Sequence, residues 1–269
     1  MRELSGDTPL TRREQLQYMA LVFARGISGI WTRVPTARFN ASGFAHGSTS
    51  FFRTYVNALI TRVVPTYLSP RSIAVFDIGC GSGYIRGLLS DAGYTGTYTG
   101  LDVVFEERFK NFENPKFAAT FILSPVEACT PEKKYDLVIS NTSLEHIPDD
   151  AKAIAVAHAA CREGGVEVHI IPSFWSFFLY VWHGYRHYTP RRLKKLFQGT
   201  NYMVYPLGGF FSTLAHFVLI TIPERMTGGV VFRTKNWYPK VVEHCIRLDR
   251  VIPLFPFGYG VIVTHDGAH

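Results

Sequence analysis

Gly79, Gly81 and Gly83 follow the apolar run Val75-Phe76-Asp77-Ile78 at every second position, and they carry the clearest chemical signal in the chain. Glycine lacks a Cβ, so the backbone can turn tightly and a ligand can lie against it. Cys80 stands inside this loop, where a small side chain is needed, and reads as an apolar filler. A helical pattern follows. A strand, a glycine loop and a helix in this order form a nucleotide cradle, with the helix N-terminus aimed at what binds. Dinucleotide enzymes space their glycines G-x-G-x-x-G; here the third arrives one residue early, and the strand ends in an acid. The Asp77 carboxylate would repel a pyrophosphate and attract an ammonium group. Asp102 ends a second apolar run roughly twenty residues past the loop, the separation expected of a carboxylate that accepts from both ribose hydroxyls.

A third segment, Tyr135-Asp136-Leu137-Val138-Ile139-Ser140-Asn141 with Thr142-Ser143-Leu144-Glu145-His146-Ile147-Pro148 after it, completes an ordered set. Across roughly residues 70 to 200 these motifs resemble those of the class I S-adenosylmethionine (SAM)-dependent methyltransferases, the small-molecule and ubiquinone-biosynthesis-like type. SAM carries an α-amino group and a sulfonium but no phosphate, which suits the acid before the loop. The resemblance implies cofactor contacts at Asp77, Gly79, Cys80, Gly81, Gly83, Asp102, Val103, Val126, Glu127 and Asn141. Asp136 reads as a structural cap at the strand start. One motif departs from the family. Pro125 stands where relatives often place an adenine-binding Asp, which leaves Glu127, or the Val126 backbone with the Ser124 hydroxyl, to read the adenine edge.

Methyl transfer from a sulfonium is an in-line displacement, so the protein supplies mainly positioning and desolvation. An oxygen acceptor also needs its proton removed, and histidine is suited to that at neutral pH. His146 follows the fourth strand, and His187 and Tyr188 lie in the rim segment Arg186-His187-Tyr188-Thr189-Pro190; these are the candidate catalytic residues, with His183 behind them. Ile171-Pro172-Ser173 offers no carboxylate for catechol-type metal binding, so no metal is expected. Asn141-Thr142-Ser143 lacks the prolines of nucleic-acid amino-methyltransferases, which argues against a nucleic-acid partner. The expected reaction is methylation, at oxygen, of a small-molecule, lipid-linked or glycan-precursor acceptor. The rivals are a catalytically silent binding scaffold on the same fold and an NAD-dependent oxidoreductase.

The elements that must position these residues alternate strand and helix, the pattern of a doubly wound, Rossmann-like seven-stranded sheet. The expectation is an α/β fold of three αβα layers, mostly parallel with an antiparallel last strand. Strands are expected at Ile73–Ile78, up to Asp102, Phe117–Leu123, Leu137–Asn141, Val166–Ile171, Tyr202–Leu207 and Gly258–His265. Helices are expected at Leu16–Phe23, Ser48–Leu68, Tyr84–Ala92, Asp149–Cys161 (ended by Gly164-Gly165), from the Thr189 cap to Phe197, and near Val241–Val251. Residues 1–69 are expected to form a helical lid, and 70–269 the catalytic domain with an insertion at about 208–257.

With 269 residues and 47% hydrophobic content, one large core is favoured over two domains. Cys80, Cys129, Cys161 and Cys245 show no paired spacing and read as reduced thiols of a cytoplasmic protein. Ile170–Trp182 and Phe210–Ile222 are the greasiest stretches, and both fall short of the roughly 20 residues a spanning helix needs. A net charge of +7, the Arg191 to Lys195 cluster and the aromatic run 174–182 leave room for peripheral contact at the inner membrane surface.

Overall fold

The computed structural model describes residues 4–69, 71–112, 114–180 and 183–265. Seven strands form one sheet: β1 Ser72–Ile78, β2 Thr95–Asp102, β3 Phe117–Leu123, β4 Tyr135–Asn141, β5 Cys161–Pro172, β6 Asn201–Leu207 and β7 Gly258–Thr264. Their order is β3-β2-β1-β4-β5-β7-β6, and β7 runs antiparallel to both neighbours while the other pairings are parallel. The central strands are apolar on both faces, as a sheet covered by helices on both sides requires.

The helices are α1 Arg12–Ile27, α2 Phe51–Ala58, α3 Val64–Tyr67, α4 Ile85–Asp91, α5 Glu107–Asn111, α6 Asp150–Ala160, α7 Pro190–Leu196, α8 Phe210–His216, α9 Ile222–Thr227 and α10 Tyr238–Asp249. One face of the sheet packs Val75, Tyr98, Ile139 and Val168 against α2, α3, α4 and α10. The other packs Phe76, Val138, Ile171 and Val261 against α6 and α7. Residues 51–68 therefore share a core with the sheet, and Phe51, Val56, Leu59 and Ile60 are almost wholly buried in it. The segment α1 instead packs Tyr18 and Val22 on Phe174 and Phe177.

Several elements differ from expectation for local reasons. The helix α1 is longer because Thr11 and Glu14 close a capping box: Glu14 N–H donates to Thr11 Oγ1, and Thr11 N–H to Glu14 Oε2 at 2.8 Å. The expected helix over 48–68 runs from Phe51 to Tyr67 but widens to π geometry over Leu59–Val63. Pro65 has no N–H to donate and its ring crowds the preceding turn; the Val64 N–H just before it bonds to Leu59, five residues back. The same device recurs in the insertion, where Ile222 N–H bonds to Phe217 O ahead of Pro223. This is why the greasy stretch from Phe210 folds as α8, a π turn and α9.

The strand β5 begins earlier than the expected Val166. The helix α6 ends at Ala160, before the Gly164-Gly165 pair, and the chain becomes extended at once. The register with β4 then shifts between Tyr135–Cys161 and Leu137–Val166, and Gly164 takes up the bulge with φ +70°. As expected, Asp136 is structural: its Oδ2 accepts the Ala74 N–H at 2.7 Å. Among the described residues, no helix is long and apolar enough to cross a membrane.

The insertion is tied to the core by one buried carboxylate. Asp249 accepts from Tyr55 Oη at 2.9 Å and from the N–H groups of Phe211 and Ser212 at 2.8 and 3.2 Å, which caps α8. Replacing Asp249 with Ala strands these buried donors and is expected to cost about 2–3 kcal/mol, read as a lower urea midpoint.

Candidate functional site

The strand order reverses between β1 and β4, and open α/β sheets bind ligands in the crevice beyond the carboxyl ends of such strands. The glycine loop lies there. Gly79, Gly81 and Gly83 have φ of +71°, +49° and +68°, a region that favours glycine. A Cβ on Gly79 would meet Ser143 Cβ at 2.3 Å, so the loop and the chain after β4 touch over bare backbone. The loop amides face the protein: Gly79 and Cys80 N–H donate to Leu101 O at 2.8 and 3.1 Å, and Gly81 N–H donates to Asp102 Oδ2 at 2.9 Å. A phosphate cradle would point these amides at its ligand; this loop offers shape and a fixed carboxylate instead.

A groove of about 420 Å³ runs beside the loop. Gly79, Asp102, Val103, Val126, Glu127 and His146 line it. Asp102 is aimed by its two amide bonds, from Gly81 to Oδ2 and from Val104 to Oδ1 at 3.2 Å. Ser124 and Pro125 border the same groove, which places the stretch without the adenine-binding Asp beside Asp102.

Asp77 is buried beneath the loop. Its Oδ2 accepts a short hydrogen bond from Tyr98 Oη, while its Oδ1 has no partner. Burial pushes its pKa up to about 7, against the Tyr98 hydrogen bond that lowers it and with the Asp102 charge that raises it further. An unpartnered buried carboxylate oxygen is costly, and a cation bound nearby would offset that cost. These groups fit an adenosyl ligand that carries an ammonium group: a glycine loop, an acid fixed at the groove and a buried acid short of a partner.

Two residues that hold the loop were not singled out in the sequence. Arg86, buried, donates from Nε to Gly83 O at 3.1 Å and from Nη2 to Phe109 O at 2.9 Å. Gly100 makes room for Cys80, whose Sγ would lie 2.6 Å from a Cβ there. Cys80 itself is buried, and burial drives its thiol pKa far upward, as befits a filler.

A second cavity of about 240 Å³ adjoins the groove, and Thr142 lines both. Thr142 has φ +52°, a strained value for a β-branched residue, at the junction of the two spaces. Asn141 faces this cavity; its Nδ2 donates to Tyr84 Oη at 2.7 Å and its Oδ1 is buried without a partner. Glu145 also lines it, fully buried, with neither oxygen hydrogen-bonded. Its nearest imidazoles are His183, with Nε2 at 3.5 Å from Oε1, and His146, with Nε2 at 3.9 Å. Burial works against charge on His183, but Glu145 and Asp7 outweigh it and raise the pKa above its ordinary value. The two imidazoles meet edge to face at 4.6 Å.

Asp7 lies beside the two imidazoles. Its Oδ2 pairs with His146 Nδ1 at 2.7 Å, and its Oδ1 accepts the Gly184 N–H at 3.0 Å. Asp7, His146 and His183 bring potential ligand atoms within 4.8 Å, a set able to hold a divalent cation. The catechol-type site sought at the ends of the fourth and fifth strands would not reveal this set, because Asp7 lies far away in the sequence.

The remaining catalytic candidates sit elsewhere. Tyr188 is fully buried and lines neither cavity; its Oη donates to Asp150 Oδ2 at 3.0 Å, which ties its hydroxyl into the interior. Burial, with Asp150 beside it, drives its pKa far upward. His187 is buried behind Ser176, whose Oγ lies 2.9 Å from its Nδ1. Burial lowers its pKa to about 4, and it borders a separate basic cavity with Arg191 and Lys195. The aromatic run divides. Phe174 and Phe177 are buried, Ser176 and Tyr180 line the second cavity, and Trp175, Phe178 and Leu179 line an outer apolar groove. Val181 and Trp182 lie outside the described residues.

The sequence profile of a family described as a methyltransferase domain matches residues 50–207. A ubiquinone biosynthesis O-methyltransferase from Hydrogenovibrio crunogenus is 28% identical over 138 residues, covering 49% of this chain and 53% of the relative. The chain thus spans about half the length of the curated relative it matches. Among solved structures, the plantazolicin methyltransferase BpumL, in complex with a triazolic desmethyl analogue and SAH, superposes with a TM-score of 0.52. It is 15% identical and covers 81% of this chain and 86% of its own. A Galdieria sulphuraria protein provisionally assigned as a sarcosine dimethylglycine methyltransferase gives a TM-score of 0.51 at 15% identity, covering 78% and 86%. At such identities these structures speak for the fold.

Two outcomes test the groove by calorimetry with SAM. Asp102→Ala is expected to weaken binding at least about tenfold, because the ribose hydroxyls lose a charged acceptor. The affinity of the parent protein is expected to rise with pH through about 7 as Asp77 ionises, and Asp77→Asn to flatten that dependence.

Proposed function

From the premise that this chain belongs to the methyltransferase-domain family, and is a class I SAM-dependent methyltransferase, we propose that it methylates a hydroxyl of a lipophilic acceptor held in the cavity over Glu145. One observation carries the reading. A buried carboxylate with no hydrogen-bond partner faces a cavity that shares Thr142 as a wall with the groove beside the glycine loop. Leaving such a group unpaired is expensive, and an acceptor hydroxyl is a donor of the kind it lacks.

When bound, SAM supplies an activated methyl group on its sulfonium. The chain's own residues do the rest. Gly79, Gly81 and Gly83 shape the cradle, Asp102 holds the ribose, and Asp77 beneath the loop favours the ammonium end. Val126, Glu127 and Ser124 border the adenine. Asn141, whose Oδ1 is unpartnered, and Thr142 separate the donor and acceptor spaces. The acceptor hydroxyl donates to Glu145, and its proton passes by way of that carboxylate to His183 Nε2. Glu145, 3.5 Å away, stabilises the imidazolium that results. His146 acts as a positioning residue: it packs on His183 and ties down Asp7. No step requires a metal.

The lipophilic character rests on the outer groove. Trp175, Phe178, Leu179, Phe210, Leu214 and Phe217 line about 260 Å³ of almost wholly apolar surface. It shares the 174–180 segment with the acceptor cavity, so a tail could lie outside while its head group reaches Glu145. Leu214, Val218 and Met226 are 49%, 48% and 81% exposed on the same insertion, which suits peripheral contact with a lipid surface.

Two experiments test these assignments. Glu145→Gln and His183→Ala are each expected to lower kcat by about 100-fold or more with little change in SAM affinity. The rate of the parent enzyme should rise with pH as His183, its pKa raised, loses its proton; Glu145→Gln should move that limb to lower pH. Full turnover in both variants would dismiss the pair as the base. Co-sedimentation with anionic phospholipid vesicles is expected for the parent protein and should fall for Leu214→Glu; equal sedimentation of the two would remove this groove as the membrane contact.

A further inference from the structure

On the face of the sheet covered by α6 and α7, one carboxylate gathers three imidazoles. Glu167 on β5 is fully buried. His158, in the last turn of α6, places Nδ1 at 2.6 Å from its Oε1, and His265, just past β7, places Nε2 at 2.5 Å from the same oxygen. His169 on β5 places Nε2 at 3.0 Å from Oε2 and holds Ser140 Oγ at 2.8 Å with Nδ1. His169 is fully buried and stacked on Phe197, so its geometry is fixed. Burial alone would raise the Glu167 pKa, but the three imidazoles reverse this and hold it far below the usual carboxylate range.

We propose that His158, Glu167 and His265 form a zinc site that staples α6, β5 and the exit of β7. Their ligand atoms lie within 4.8 Å of one another. Two imidazole nitrogens and one carboxylate oxygen make a donor set that suits zinc. The buried His169 supplies the outer support, since a ligating carboxylate is oriented by a hydrogen bond to its second oxygen. His158 and His265 retain 28% and 23% exposure of their side chains, which leaves a path for the metal and a place for water as fourth ligand. Metal bonds of about 2.0–2.2 Å require the two imidazoles to withdraw from Glu167 by less than about 1 Å. His265 is held within reach by its backbone: its N–H donates to Gly165 O at 3.1 Å, and its carbonyl accepts the Gly164 N–H at 2.5 Å. The bulge at Gly164 thus brings the end of β7 to Glu167. This assignment does not depend on the proposed acceptor or on the proton-transfer pair.

The test uses the intact protein stripped with chelator and titrated with Zn2+ by calorimetry, alongside thermal melting. Binding of micromolar affinity or tighter is expected, with a Tm that rises with zinc concentration. His158→Ala and His265→Ala should each weaken this binding at least about tenfold and remove the zinc-dependent part of the Tm shift. Asp7→Ala should leave it unchanged, which separates it from the Asp7, His146 and His183 cluster. Because a substituted protein can be impaired in folding, the parent protein is also titrated with Co2+, where an intense visible absorption of a tetrahedral site is expected. The proposal is overturned if zinc neither binds nor shifts the Tm, if Co2+ gives no tetrahedral band, or if Asp7→Ala abolishes the binding while His158→Ala and His265→Ala do not.

Discussion

The register of three parallel strands is the constraint on which the site depends. Asp77 on β1 lies level with Gly100 on β2 and Ile139 on β4, so the three strands end at one edge. The chain leaving β1 must then turn over the end of β2. The Leu101 carbonyl and the Asp102 carboxylate meet its amides there, and the loop is stitched to β2 before any ligand arrives. Asp102 is in this way both a brace for the loop and a hydrogen-bond acceptor with further lone pairs to offer. A one-residue slip would turn Asp77 to the opposite face and part Asp102 from Gly81. Close packing enforces the match, because Cys80 and the Phe109 ring both fill the space that a Cβ on Gly100 would take.

The groove beside the glycine loop was legible because its residues are neighbours in sequence. The glycine spacing, the acid before it and Asp102 beyond it are local signals, and the structure brings Gly79, Asp102, Val126 and Glu127 to one groove. The second cavity and the side chains beside it are assembled from distant pieces. Glu145 stood inside a recognised motif, yet nothing in its neighbours announced that it would be buried with neither oxygen hydrogen-bonded. Asp7 meets His146 only through the fold, and His183 acquires its raised pKa from Glu145 across a loop. His187 and Tyr188 illustrate the converse. Their residue types suited proton transfer, but periodicity could not reveal that Ser176 and Asp150 would engage them in the interior.

The fold was readable for a similar reason. Alternation of strand and helix is a local pattern, and it matches the seven-stranded order with its antiparallel β7. The departures occur where one residue changes the backbone rule: Pro65 and Pro223 each force a wider turn, Thr11 with Glu14 lengthens α1, and Gly164 admits a bulge. Propensity summed over a window does not register such single-residue effects.

The attachment of Asp7 has a further consequence. The segment around it is clasped beside His146 by the Asp7–His146 ion pair and by two hydrogen bonds with Gly184, one accepted by Asp7 from the Gly184 N–H and one donated by the Gly6 N–H to Gly184 O. Burial opposes the charge on Asp7, yet His146 and the Gly184 amide keep its pKa below the ordinary value. The clasp is therefore firm while Asp7 is ionised and slackens as acidity rises through that lowered pKa. Dissolved salt weakens it too, by screening a half-exposed pair. The solvent thereby gains a handle on how firmly this segment is held, one that acts without touching the sheet beneath.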